Sequence, residues 1–256
     1  MLFIVIFSNL GDWTLLLFTG IAILLILLIS FLAPKFAKIF NKFTPLEEGN
    51  LRTKLLDLLN SHGYSVKEIK VMDASKRSTK SNAYFSGLGK TKTIVLYDTL
   101  LNNMSEEEII AIFAHELGHG LHKDIIKNTL LSFLNIALIV IIAWLNARYP
   151  QIYGDFGFNN VNYAFALILL LAVELPIISP FMGIISSAFS RKAEYKADEQ
   201  AVKEGYGKEL ITSLKKLTKE NFGNLSPNKI VVLLEYSHPT VSQRIEQIEK
   251  KMVNND

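Results

Sequence analysis

Three apolar runs, each long enough to cross a bilayer as a helix, constrain this chain more than anything else in it. They cover residues 13–33, 129–147 and 161–185, and a spanning helix needs about 20 residues. Residues 15–31 hold no charged side chain, and Glu174 is the one charged residue inside the third run. Backbone at such depth must satisfy its own hydrogen bonds, so these runs are expected to be helices. A shorter apolar stretch, residues 1–10, precedes them. It has no basic start and no clear cleavage site, so it reads as the end of another membrane segment and not as a signal peptide.

The cations near the ends of the runs set an orientation. Lys35, Lys38 and Lys42 follow the first run, Lys123 and Lys127 precede the second, and Arg191, Lys192 and Lys196 follow the third. The connection 146–160 holds only Arg148, and the first twelve residues hold no Lys or Arg. Segment 34–128 and the tail after 186 are therefore expected on the cytosolic side, with the N-terminus and the 146–160 loop opposite. The net charge of +3 is small and no basic stripe carries aromatics, which argues against a nucleic-acid partner. There is no cysteine, so any metal must be held by His and carboxylate.

Between the first two runs the pattern is that of a small mixed domain. Thr44-Pro45-Leu46-Glu47-Glu48 reads as a helix start, with the helix running to about Ser61. Residues 67–72 and 93–97 read as strands, residues 82–86 as a third, and 87–89 as a turn. Ser105-Glu106-Glu107-Glu108 is a capping box at the positive end of a helix dipole. With no proline before Pro150, that helix is expected to continue unbroken into the second apolar run. Pro176 and Pro180 are expected to bend the third run, which continues towards residue 203.

His115-Glu116-Leu117-Gly118-His119 lies inside the capped helix. Residues four apart stand one above the other, so both imidazoles can hold one zinc ion. Glu116, beside them, is placed to take a proton from the attacking water and pass it to a leaving amine. A catalytic zinc needs a third protein ligand. An extended three-histidine motif would require His at position 125, which is Ile125, and His122 has neither known spacing, so it reads as a bystander or an outer partner. Glu194, in Ser190-Arg191-Lys192-Ala193-Glu194-Tyr195-Lys196-Ala197-Asp198, follows a span on the expected side and is the better choice. Asp198, one turn further, is placed to hold a ligand imidazole.

These motifs resemble the integral-membrane gluzincins, the type I CAAX prenyl endopeptidases and their bacterial HtpX relatives. The prenyl-endopeptidase branch is the closer. Phe43-Thr44-Pro45-Leu46-Glu47, Ser75-Lys76-Arg77-Ser78, Ser81-Asn82-Ala83-Tyr84-Phe85, Ile94–Leu101 and Ser237-His238-Pro239-Thr240 with Arg244 all read like it. The resemblance covers residue 43 to the C-terminus. It implies a mainly α, multi-pass membrane protein with about three transmembrane helices plus a zincin-like α+β catalytic domain. The membrane segment would be 1–42, and the peptidase domain 43–256, interrupted at 129–147 and 161–185.

By position the resemblance also implies one zinc on His115, His119 and Glu194, with Glu116 as base. His238 would be the donor to the developing oxyanion, and Arg244 a partner of the carboxylate ligand. Asn82 and Ala83 would lie on a substrate-aligning edge strand. The expected partners are the bilayer and a peptide or protein, possibly lipidated, in a bacterial inner membrane or an endoplasmic-reticulum membrane. The family carries further membrane helices upstream of the first run seen here, so a naturally short form or a piece of a longer chain is expected. Competing readings are HtpX-like quality control of membrane proteins, a non-catalytic scaffold, and a transporter-like role for Glu174.

Overall fold

The computed structural model describes residues 13–78, 81–86, 91–149, 151–160, 162–220, 224 and 227–255. The stretch 1–10 and the turn at 87–89 lie outside the described residues. In chain order, α1 (Trp13–Phe40) is followed by β1 (Phe43–Pro45), α2 (Asn50–Ser61), β2 (Ser65–Met72), β3 (Ala83–Ser86) and β4 (Thr91–Tyr97). Next come α3 (Asp98–Asn103), α4 (Glu106–Leu121), α5 (Asp124–Arg148), α6 (Gln151–Gly154) and α7 (Tyr163–Leu169). A π turn over Leu170–Glu174 leads into α8 (Leu175–Lys203), then α9 (Gly207–Glu220), α10 (Lys229–Glu235) and α11 (Val241–Asn255). The chain is thus mainly helical with one small sheet, in two compact units: Met1–Leu32 with Ile126–Ser186, and Ala33–Ile125 with Ser187–Asp256.

Two helices among the described residues are long and apolar enough to cross a membrane, Asp124–Asn146 and Ala164–Lys203, and the first unit holds the apolar part of each. Their apolar windows are 0% and 6% buried, the opposite of a soluble protein's core helix. The apolar stretch within α1 is shorter, Thr19–Ile29. Polar groups in this unit find partners. Asn146 Nδ2 donates to Glu174 Oε2 at 2.6 Å, and Tyr153 Oη donates to the Asn146 carbonyl at 2.5 Å. Glu174 is therefore tied to a neighbouring helix, which gives it a structural role. The π turn lies just ahead of Pro176, whose missing amide hydrogen and bulky ring would disturb a regular α-helical bond there.

The second unit is built on a four-stranded sheet in the order β1-β2-β4-β3. β1 runs antiparallel to β2, β2 parallel to β4, and β3 antiparallel to β4. β3 is thus an edge strand. Leu51, Leu55, Leu58 and Leu59 form the apolar stripe of α2, and with Ile69, Ile94 and Leu96 they close over α4. Ile109, Ile110, Phe113 and Leu117 of α4 are 2% exposed or less. The helix with the histidine motif is therefore the centre of the core, and its position is over-determined by packing.

Two expectations fail here. Thr44-Pro45 does not start a helix but pairs with Val71 and Lys70 in β1. The residue before a proline is pushed towards extended backbone, and proline is tolerated on an edge strand where its missing N–H faces no partner. The helix begins at Asn50, after Gly49. Nor does α4 run unbroken into α5. It stops at Leu121, and Lys123 adopts φ 55°, the one non-glycine positive φ among the described residues. That left-handed residue costs about 1 kcal/mol and turns the chain before Asp124 starts α5.

The capping box forms as expected: Ser105 Oγ accepts from the Glu108 N–H, and the Glu108 carboxylate accepts from the Ser105 N–H at 2.8 Å. Ser105→Ala should lower unfolding stability by about 1 kcal/mol, measured by thermal unfolding in detergent. A change within error would show that core packing alone holds the start of α4.

Candidate metal centre

His115 and His119 stand one turn apart on α4, their rings edge to face with centroids 4.8 Å apart. Gly118 flanks the histidines on the same turn. A Cβ there would lie 2.7 Å from Ala197 Cα and 3.0 Å from Gln200 Cβ. With hydrogen in that place, the backbones of α4 and α8 can touch. The contact brings Glu194, three residues before Ala197, onto the histidine pair. Its carboxylate oxygens lie 3.6 Å from His115 Nε2 and 3.5 Å from His119 Nε2. The donor atoms of the three residues all lie within 4.8 Å of one another.

A second tier of charges holds the imidazoles. His115 Nδ1 donates to Asp198 Oδ1 at 2.8 Å, and His119 Nδ1 donates to Asp124 Oδ2 at 2.9 Å. Each bond selects the tautomer and leaves Nε2 free to turn inward. Arg244 grips Asp198 with Nη2 at 2.5 Å and Nε at 2.9 Å, and reaches Glu194 Oε2 at 3.3 Å. Its shorter contacts are thus to Asp198 and not to Glu194. His238 Nδ1 lies 2.9 Å from Glu194 Oε1, with its side chain 64% exposed. Asn82 immediately precedes the edge strand β3 and is exposed, whereas Ala83 is buried. His122 is the residue on which α4 ends.

The electrostatics follow from burial among these charges. Burial raises the Glu116 pKa, and the nearby imidazoles of His115 and His119 oppose it only in part. Burial disfavours charge on His119, but its bonds to Glu194 and Asp124 prevail and lift its pKa to about 9. The bond to Glu194 raises His238, against burial. Burial works against the Arg244 charge too, yet Asp198 keeps it protonated. The carboxylates therefore draw positive charge to His119, the polarity that a cation site requires.

The donor set fits a metal ion. At a tetrahedral centre with ligands at about 2.0–2.1 Å, donor atoms lie about 3.3 Å apart, close to the separations seen between Glu194 and both histidines. A cavity of about 310 Å³ opens on this cluster, lined by Asn82, Glu116, His119, Glu194, His238 and Arg244 on its polar side. Ile112, Leu214 and Leu217 give it an apolar side. Ser81 and Asn82, just ahead of β3, form part of its wall.

The sequence reading missed Asp124. On an unbroken helix, five residues turn a side chain by about 140° net, so Asp124 would have faced away from His119. The left-handed Lys123 is what folds it back. A carboxylate at the very start of an apolar helix, five residues after the motif, was the available signal.

A family model described as Peptidase family M48 matches residues 45–252. The chain belongs to peptidase family M48. Among curated relatives, this M48 chain is 36% identical over 221 residues to the CAAX prenyl protease 1 homolog of Arabidopsis thaliana, covering 83% of this chain and 50% of that one. It is 34% identical over 248 residues to the probable CAAX prenyl protease 1 of Schizosaccharomyces pombe, covering 96% and 52%. The crystal structure of S. mikatae Ste24p superposes with a TM-score of 0.84 at 32% identity, over 97% of this chain and 61% of that one. The M48 chain is thus similar to CAAX proteases, and it spans about half the length of the curated relatives it matches.

Asp124→Ala should weaken divalent-metal affinity by about 10- to 100-fold, measured by competition with a chromogenic chelator. The core around α4 should remain folded, because Asp124 lies beyond it. Wild-type affinity in that variant would show that His119 needs no outer partner.

Proposed function

We propose that this chain is a zinc-dependent membrane endopeptidase of CAAX-protease type, hydrolysing peptide bonds of membrane-associated, prenylated tails. The observation that carries this reading is the convergence of His115, His119 and Glu194 beside the half-buried Glu116. Kinship with CAAX prenyl proteases supports the substrate class. The three apolar runs support three spans. The cations at their ends support a cytosolic metal centre.

His115, His119 and Glu194 would hold the zinc, which when bound supplies a Lewis acid. The substrate backbone would pair with the edge strand β3, with Asn82 and Ala83 fixing its start. Backbone pairing reads an extended segment with little demand on its side chains. Glu116, its pKa raised by burial, takes the proton of the attacking water and later delivers it to the leaving nitrogen. His238, at the cavity wall beside Glu194, donates to the scissile carbonyl oxygen as negative charge grows there. Asp198, Arg244 and Asp124 keep the imidazoles from turning.

The test is cleavage of a farnesylated peptide by purified protein and its Glu116→Ala variant, with zinc content measured on both. Glu116→Ala should lose about 10²–10⁴-fold in kcat while keeping its zinc. Zinc lost together with activity would remove Glu116 from the role of base. Cleavage of the unprenylated peptide as fast as the farnesylated one would remove lipid from the substrate definition.

A further inference from the structure

α10 shows the outside world an apolar face. Ile230, Val231, Leu233 and Leu234 are 65%, 37%, 52% and 46% exposed, whereas Val232 is buried. Helical spacing puts the four exposed residues on one side and Val232 on the other. Side chains of this kind, grouped and rimmed by polar residues, mark a surface made for contact.

What holds α10 indicates what that face meets. Arg191 donates to the Tyr236 carbonyl at 2.7 Å, just past the end of this short helix, and at 3.4 Å to the Val232 carbonyl, which also accepts from the Tyr236 N–H. Arg191 is also the first charged residue after Glu174, directly behind the uncharged run 175–190 of α8. Within that run Ile185 and Phe189 are exposed. If α8 spans the bilayer, the first cation after its apolar run marks the depth at which hydrocarbon gives way to headgroups. Arg191 pins α10 at that depth. Lys192, Lys196 and Lys229 are exposed beside it, the right sign for lipid phosphates.

We propose that α10 is an interfacial anchor, its apolar face lying in the headgroup–acyl boundary on the side of the metal centre. This rests on the membrane-spanning reading given above. The anchor has a consequence for the site. α10 ends three residues before His238, which touches Glu194. The lipid surface then bears on where His238 stands in the cavity wall.

The chain has no cysteine, so single-cysteine labelling is free of background. Ile230→Cys, Leu233→Cys and Leu234→Cys would each carry an environment-sensitive fluorophore in the full chain. The chain would be reconstituted into phosphatidylcholine–phosphatidylglycerol vesicles with or without brominated acyl chains. Leu138→Cys on the exposed face of α5 reports the spanning region, and Glu249→Cys on α11 reports water. The α10 probes should be quenched by bromolipid at least half as strongly as Leu138, and Glu249 not at all. Quenching at Leu138 with α10 behaving like Glu249 would overturn the anchor and leave the spanning reading standing. No quenching at Leu138 would overturn both. Shielding of the α10 probes from bromolipid and aqueous iodide alike would mean that protein, such as a second copy, covers this face, and would also overturn the proposal.

Discussion

The backbones of α4 and α8 meet at Gly118 and Ala197, and the arrangement of the metal centre depends on that contact. A side chain as small as methyl would lie 2.7 Å from Ala197 Cα, so one helix would have to shift. Cores give poorly under overpacking, and α4 is buried on nearly every side. The distance between the histidines on one helix and Glu194 on the other is thus set by main-chain packing and not by flexible side chains. That is how a site of three donors, from segments about eighty residues apart in the chain, reaches metal-binding separation.

Charge completes what packing begins. Asp198, Asp124, Glu194 and Glu116 surround two imidazoles and Arg244, and most of these groups are buried. Buried charges are tolerated only when each has a partner. Here Asp198 serves both His115 and Arg244, so the arginine offsets one carboxylate while orienting another ligand indirectly. The turn at Lys123 does comparable work for His119. Its left-handed backbone is a local strain that the capped, buried α4 can sustain, and it delivers Asp124 where a continuous helix could not.

Much of this was legible in the residues themselves. The apolar runs, the strands at 67–72 and 93–97 and the capping box at Ser105 follow from local chemistry, and the structure has them. His115, Glu116 and His119 are legible because i, i+4 spacing on a helix leaves one geometry. Glu194 was within reach because it follows an apolar run on the same expected side. The start of α2 was misread because Thr44-Pro45 carries two meanings. Proline and acids can open a helix, but sheet pairing with Val71 and Lys70 decided for an edge strand. The break after Leu121 was hidden because its left-handed position is filled by Lys123 and not by glycine, and local bonds hold the turn, the Lys123 N–H to the Gly120 carbonyl and His119 to Asp124. Gly118 was visible only as part of a motif, and its packing against Ala197 is a non-local fact.

The most direct test of the account is zinc K-edge X-ray absorption on the zinc-loaded chain and on Glu194→Ala. The account predicts one zinc per chain, with two imidazoles and a carboxylate oxygen among four light ligands at about 2.0–2.1 Å, and loss of the carboxylate in the variant. A folded chain that binds no zinc, or a spectrum that Glu194→Ala leaves unchanged, would contradict it.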